Sequence, residues 1–148
     1  VAIYVIPTYI EIHNPLYNVN YEYNAVAIEG IGYEKQLMLG KGAGSFPTGS
    51  AVLSDVSALY RNYRYRMNNG HSDGILKKDD SQVLRVYFRC PKLSDLDLIS
   101  FVSIQSVTDY NNSLQVIGNI QLDSLLLLMS LLESPEYFVA EIPESFNP

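Results

Sequence analysis

Gly40-Lys41-Gly42-Ala43-Gly44-Ser45-Phe46-Pro47-Thr48-Gly49-Ser50-Ala51-Val52-Leu53-Ser54-Asp55 decides the reading of this 148-residue chain. An apolar run, Gln36-Leu37-Met38-Leu39, leads into Gly40, Gly42 and Gly44, and a small-residue run then opens an amphipathic segment. The pattern predicts a strand, a backbone-exposing turn and a helix starting near Pro47 or Thr48. Glycine permits positive φ and close approach of another backbone or a ligand. The start of a helix presents unpaired N–H groups and the positive end of the dipole, which suit a phosphate, carboxylate or carboxamide oxygen. A tight packing turn is the plainer reading of the same residues. The dinucleotide fingerprint G-x-G-x-x-G does not fit, because its third glycine would fall at Ser45, and no P-loop pattern occurs.

Upstream, Pro7-Thr8, His13-Asn14-Pro15-Leu16, Asn24-Ala25-Val26 and Glu29-Gly30 follow in order, and Gly42-Ala43-Gly44-x-x-Pro47-Thr48-x-Ser50-Ala51-Val52-x-x-Asp55 closes the series. This first half of the chain resembles homoserine dehydrogenases, whose landmarks are H-P-T, H-P-L, N-A-[VI], E-G and G-A-G-x-x-P-T-x-S-A-V-x-x-D. Ile6 stands where the family usually has histidine. The resemblance implies an enzyme that interconverts aspartate semialdehyde and homoserine with NAD or NADP, on the route to threonine and methionine. It places the Rossmann domain and the catalytic lysine upstream of residue 1, so no catalytic residue is expected in this chain, and Lys35 and Lys41 are not candidates. It also implies that Gly42, Ala43, Gly44, Pro47 and Thr48 lie beside the cofactor, and that subunits pair as a homodimer. The chain is expected to be the C-terminal part of a longer protein, inactive alone.

Hydrophobic residues make up 47% and charged residues 18% of the chain, the balance of a globular protein. A net charge of −6 argues against general affinity for nucleic acid, which depends on neutralising phosphates. Tyr60-Arg61-Asn62-Tyr63-Arg64-Tyr65-Arg66 interleaves basic and aromatic residues, but cations also favour a helix C-terminus. The lone Cys90 rules out an intrachain disulfide and reads as a small buried hydrophobe. The apolar run at residues 125–129 is far short of the ~20 residues of a membrane helix. With no basic region before the first apolar stretch, a cytoplasmic location is expected.

The expected fold class is α+β: a mixed sheet with one long helix, then a small ACT-like domain of βββαβ type. The expected divisions are 1–69 for the end of the catalytic and dimerisation domain, 70–81 for a linker and 82–148 for the ACT-like domain. Pro7 puts the first strand at an edge or a bulge, because proline cannot donate to a ladder. Strands 21–29 and 36–39 are expected as a hairpin about Gly30-Ile31-Gly32, with Ala25-Val26-Ala27-Ile28 central. The helix is predicted over 48–68, with Val52, Val56, Leu59, Tyr63 and Met67 as a buried stripe, and Asn69-Gly70 ends it. His13 reads as a turn residue, Glu29 as solvating a turn and His71 as exposed.

Strands 83–89, 101–107 and 114–121 follow, the last two joined by a turn at Asp109-Tyr110-Asn111-Asn112-Ser113. A helix over 122–132 capped by Asp123 or Ser124, and a last strand over 137–141, complete the order. Cys90-Pro91-Lys92-Leu93-Ser94-Asp95-Leu96 lacks the Pro-Gly turn common in ACT domains, and the segment before Phe101 is too short for a full helix. The order therefore supports the fold more than threonine binding. A stand-alone amino-acid-binding regulatory or assembly module is the alternative.

Overall fold

The computed structural model describes residues 1–63, 77–144 and 146. The chain is α+β, with all named strand pairs antiparallel. It divides into two compact units, one of Val1–Ile10 with Gly74–Pro148 and one of Glu11–Asp73.

The first unit holds the core. Strands β3 (Val83–Cys90), β4 (Phe101–Tyr110), β5 (Ser113–Gln121) and β6 (Phe138–Glu141) form a sheet in the order β4-β5-β3-β6. The chain thus enters at an inner strand, crosses to one edge, returns by a hairpin and crosses to the other edge. Alternation in β3 sends Leu84, Val86, Phe88 and Cys90 inward, where they meet Val116 and Ile120 of β5 and Leu122, Leu125 and Leu128 below. Phe88 and Cys90 are 1% and 0% exposed, so this is a dry layer. Between β4 and β5, Asn111 and Asn112 adopt φ of 50° and 59°, the left-handed pair that a two-residue hairpin requires. The connection from β3 to β4 is only a 3₁₀ turn over Leu93–Leu98, with the Asp95 carboxylate accepting from the Lys92 N–H at 3.1 Å.

Residues 1–10, grouped by the sequence with the first domain, lie in the unit of the second half. Thr8 pairs in parallel with Glu141, the Tyr9 N–H donates to the Glu141 carbonyl, and the Glu141 N–H donates to the Pro7 carbonyl. Ala2 and Ile6 pack on the core, and the Tyr9 ring contacts those of Tyr87 and Phe146. Pro7 is tolerated because only its carbonyl is used at this edge. The expected first strand is therefore reduced to one bridge.

Helix α2 spans Leu122–Leu127, shorter than expected, and hydrogen-bonded turns carry the chain on to Ser134. Its cap is Gln121 rather than Asp123 or Ser124. The reason is continuity, since the Leu122 N–H still pairs with the Gln82 carbonyl and β5 runs straight into the helix.

The second unit begins with a 3₁₀ turn over Pro15–Asn18, where the Asn14 side chain accepts from the Leu16 N–H and Pro15 occupies the first position. Strands β1 (Tyr23–Gly30) and β2 (Tyr33–Lys41) form a hairpin about Ile31-Gly32, with Gly32 at φ 97° and a register shift between Ile28 and Gly30. Ala25-Val26-Ala27-Ile28 was expected at the centre of a sheet; in this unit the sheet has two strands, so it lies at an edge.

Helix α1 runs Ser45–Tyr60, shorter at its C-terminal end than the sequence suggests. It stops at Asn62, which takes φ 54° while the Asn62 N–H donates to the Leu59 carbonyl and the Tyr63 N–H to the Ala58 carbonyl. Those two bonds are a Schellman cap with asparagine in the place usually held by glycine. Asn69-Gly70, Met67, His71 and most of the expected linker lie outside the described residues. Of the expected buried stripe, Val52, Val56 and Leu59 are 56–76% exposed in this chain, where no described residue of the unit covers them. No described residue of this unit is buried. A two-stranded hairpin with one helix has too little apolar contact to make a core of its own.

Candidate functional site

The turn between β2 and α1 brings Gly42, Ala43, Gly44, Pro47 and Thr48 together within one contiguous bend. The Gly42 N–H donates to the Glu22 carbonyl at 3.0 Å, which closes the end of the hairpin. Gly44 is the N-cap at φ 111° and ψ 161°, a region essentially reserved for glycine. This conformation helps turn the chain from the end of β2 at Lys41 into the helix at Ser45 across three residues. The helix starts at Ser45, slightly earlier than predicted, with Pro47 in its first turn, where a missing N–H is harmless.

The start of the helix leaves the Ser45 and Phe46 N–H groups outside the intrahelical ladder. Gly44 has no side chain with which to cap them. Thr48 closes the first turn twice, its N–H and its hydroxyl both donating to the Gly44 carbonyl, at 3.2 and 2.8 Å. The hydroxyl proton is thus spent inside the turn, and Thr48 presents oxygen lone pairs rather than a donor.

The three glycines are not equivalent. An added β-carbon at Gly40 would meet nothing within 4 Å, whereas one at Gly42 would collide with the Asn24 amide. Asn24 is the residue that sequence reasoning missed, although the Asn24-Ala25-Val26 landmark marked its position. It also lines an open depression of about 360 Å³ on the hairpin, together with Val26, Met38, Leu39, Gly40, Lys41 and Gly42.

Lys41, next to the turn, donates to the Glu22 carboxylate at 2.7 Å and sits 5.0 Å from the centre of the Tyr23 ring. The hydrogen bond holds the Glu22 carboxyl below its usual range and the Lys41 ammonium above its own. Both ends are exposed, so the pair orients the end of β2 in a salt-sensitive way. His13 lies in a turn ahead of the 3₁₀ segment, and Glu29 lies at the exposed end of β1. Among the described residues, no group of three or more His, Cys, Asp or Glu is arranged to hold a metal, and no helix is long and apolar enough to cross a membrane.

The sequence model described as homoserine dehydrogenase matches residues 1–57. Homoserine dehydrogenase of Bacillus subtilis is 39% identical over 64 residues, which are 43% of this chain and 15% of that protein. Homoserine dehydrogenase of Corynebacterium glutamicum is 37% identical over 68 residues, 46% of this chain and 15% of that protein. The match thus spans about 15% of the length of either relative. A crystal structure of homoserine dehydrogenase from S. aureus at pH 6.5 aligns over 90% of this chain and 35% of its own, with 20% identity and a TM-score of 0.42. The ordered landmarks, the bend they end in and the two curated relatives coincide over the same residues, and through that segment the chain is similar to homoserine dehydrogenases.

Proposed function

We propose that this chain is the C-terminal part of a homoserine dehydrogenase, a cytoplasmic enzyme that interconverts aspartate semialdehyde and homoserine with NAD or NADP in threonine and methionine biosynthesis. The observation that carries the reading is the family match over residues 1–57, which ends in a bend that only glycine can form at Gly44. The dinucleotide-binding domain and the catalytic lysine belong to the upstream part of such a protein, so the chain alone is inactive.

The bend suits the nicotinamide end of the cofactor. Ser45 and Phe46 offer backbone N–H groups, Thr48 offers lone pairs, and the side-chain-free Gly42 and Gly44 allow close approach alongside Ala43 and Pro47. A bound cofactor would donate hydride to the semialdehyde when reduced and accept it from homoserine when oxidised; these residues would orient the ring.

The apolar surfaces left open in the Glu11–Asp73 unit support the same reading. Val26, Ile28, Leu37, Met38 and Leu39 on the hairpin suit a homodimer sheet, and Val52, Val56 and Leu59 suit burial against the dinucleotide-binding domain. The sheet order β4-β5-β3-β6, with a 3₁₀ turn between β3 and β4, supports reading the second half of the chain as an ACT-like domain. Its self-contained core also favours a second reading, a regulatory module that binds an amino acid such as threonine.

The test is homoserine-dependent reduction of NAD or NADP by the full-length parent protein, with this chain alone as control. Activity in the parent and none in the chain is expected. An inactive parent would overturn the reading, and calorimetry with threonine would then decide for or against the module.

A further inference from the structure

We propose that Asn24 is a specificity-determining residue whose side-chain oxygen accepts from the carboxamide N–H₂ of the nicotinamide ring; the inference rests on the reading above, in which the Gly42–Thr48 bend meets that end of the cofactor. Asn24 and the bend belong to one unit and are tied together by backbone. Asn24 pairs with Gly40 across the hairpin, and the Gly42 N–H donates to the carbonyl of Glu22, two residues before Asn24. The amide nitrogen of Asn24 is the atom nearest the place where a β-carbon on Gly42 would stand. Glycine at 42 therefore leaves this amide lying against the backbone of the bend.

The surroundings leave that amide uncommitted. The depression it lines has apolar walls from Val26, Met38 and Leu39, and its polar side chains are Asn24 and Lys41. The Lys41 ammonium is engaged by the Glu22 carboxylate at 2.7 Å and by the Tyr23 ring. Asn24 is exposed, and its side chain makes no hydrogen bond to any described residue. An apolar surface with one free, uncharged amide suits a flat ring that carries one carboxamide. The backbone N–H groups at the start of α1 can serve only the carboxamide oxygen, so its N–H₂ needs an acceptor, and the Asn24 side chain has one. Thr48 Oγ1 is the other side-chain acceptor at the bend, and the two are separable by substitution.

The experiment measures binding by calorimetry to the full-length parent protein and to its Asn24→Ala, Asn24→Asp and Thr48→Val variants. The probes are NAD or NADP, whichever the parent binds more tightly, and the matching 3-acetylpyridine dinucleotide, in which a methyl group replaces the carboxamide N–H₂. The parent is expected to prefer the carboxamide by about 3- to 10-fold, the worth of one net hydrogen bond. Asn24→Ala is expected to weaken binding of the natural cofactor by that factor and to leave the analogue within about twofold, so that the preference disappears, as a cycle on one contact requires. Asn24→Asp, which keeps an acceptor, is expected to keep the preference. Homoserine-dependent reduction by the unaltered parent is measured alongside. In an active parent, no loss in Asn24→Ala, equal losses for both dinucleotides, or a preference that survives there and vanishes in Thr48→Val overturns the role of Asn24 and leaves the dehydrogenase reading standing. A parent that neither binds nor reduces either cofactor overturns both.

Discussion

Gly42 and Asn24 share one space: the amide of Asn24 on β1 occupies the position that a side chain on Gly42 would need. The relationship makes the packing role of this glycine separable from any ligand role. Gly42→Ala in the full-length enzyme is expected to reduce stability by about 1–3 kcal/mol through overpacking. Adding Asn24→Ala removes the obstacle. If clearance for Asn24 is the whole reason for glycine here, melting temperature and turnover return together in the double variant. Recovery of stability without turnover would mean that a bound molecule, or Asn24 itself, also needs this space.

Gly40 and Gly44 form a second contrast. Gly44 holds φ 111° and ψ 161°, so Gly44→Ala is strained whatever surrounds it, by about 1–3 kcal/mol. Gly40 has open space where its β-carbon would be. Gly40→Ala is therefore expected to leave the melting temperature unchanged within error. A rise in KM for NADP in that variant would report a cofactor approaching this side of the turn, and unchanged kinetics would place the cofactor elsewhere.

Gly118 in β5 is a packing glycine of a different kind. A β-carbon there would lie 2.6 Å from the Ser103 carbonyl oxygen and 2.9 Å from the Phe101 ring. The carbonyl belongs to β4, which is irregular beside it, with register shifts between Phe101 and Ser103 and between Ile104 and Ser106. Backbone cannot swing aside as a side chain can. Gly118→Ala is expected to destabilise the first unit by about 1–3 kcal/mol, read as a fall of several degrees in its thermal transition. An unchanged transition would mean that β4 can slide to a regular register.

Much of this was legible in the chain. The alternation of Leu84, Val86, Phe88 and Cys90 with Arg85, Tyr87 and Arg89 marks one buried face, and Asn111-Asn112 is what a two-residue turn demands. The glycine spacing also marked the bend, but not which glycine mattered for what: Gly44 is fixed by its own backbone, Gly42 by a side chain on another strand. The second dependence is non-local and leaves no trace in spacing. The end of α1 was misplaced because Asn62 can take the left-handed conformation, and a search for glycine passes over it. A leucine run such as residues 125–128 fits a longer helix and a series of turns equally well. The single pairing of Thr8 with Glu141 has no period to detect, which is why residues 1–10 read as part of the neighbouring domain.

The first unit should weaken at alkaline pH, and Cys90 should contribute to this. Its thiol is fully buried at the end of β3, donates to the Lys92 carbonyl at 3.5 Å and lies near the Asp95 carboxylate. Burial first, and Asp95 second, push it above the ordinary thiol value of 9.0. Tyr137, whose hydroxyl donates to Asp95 at 3.3 Å, is raised above 10.0 by desolvation and then by that carboxylate. In each case the folded state holds the proton more tightly than the unfolded chain does. The stabilisation is therefore fully present below the unfolded pKa and is lost as pH rises through the folded one. Thermal melts should be flat with respect to these groups at neutral pH and fall from about pH 9 upward. Cys90→Ala should remove the earliest part of that fall, between about pH 9 and 10, and leave the later part due to tyrosine. At pH 8, a disulfide reagent such as dithionitrobenzoate should label the native thiol only at the rate at which the unit opens, and label the denatured chain at once. Fast labelling of the native protein would show that Cys90 is not sealed beneath β5, and the alkaline fall would then have to come from the tyrosines alone.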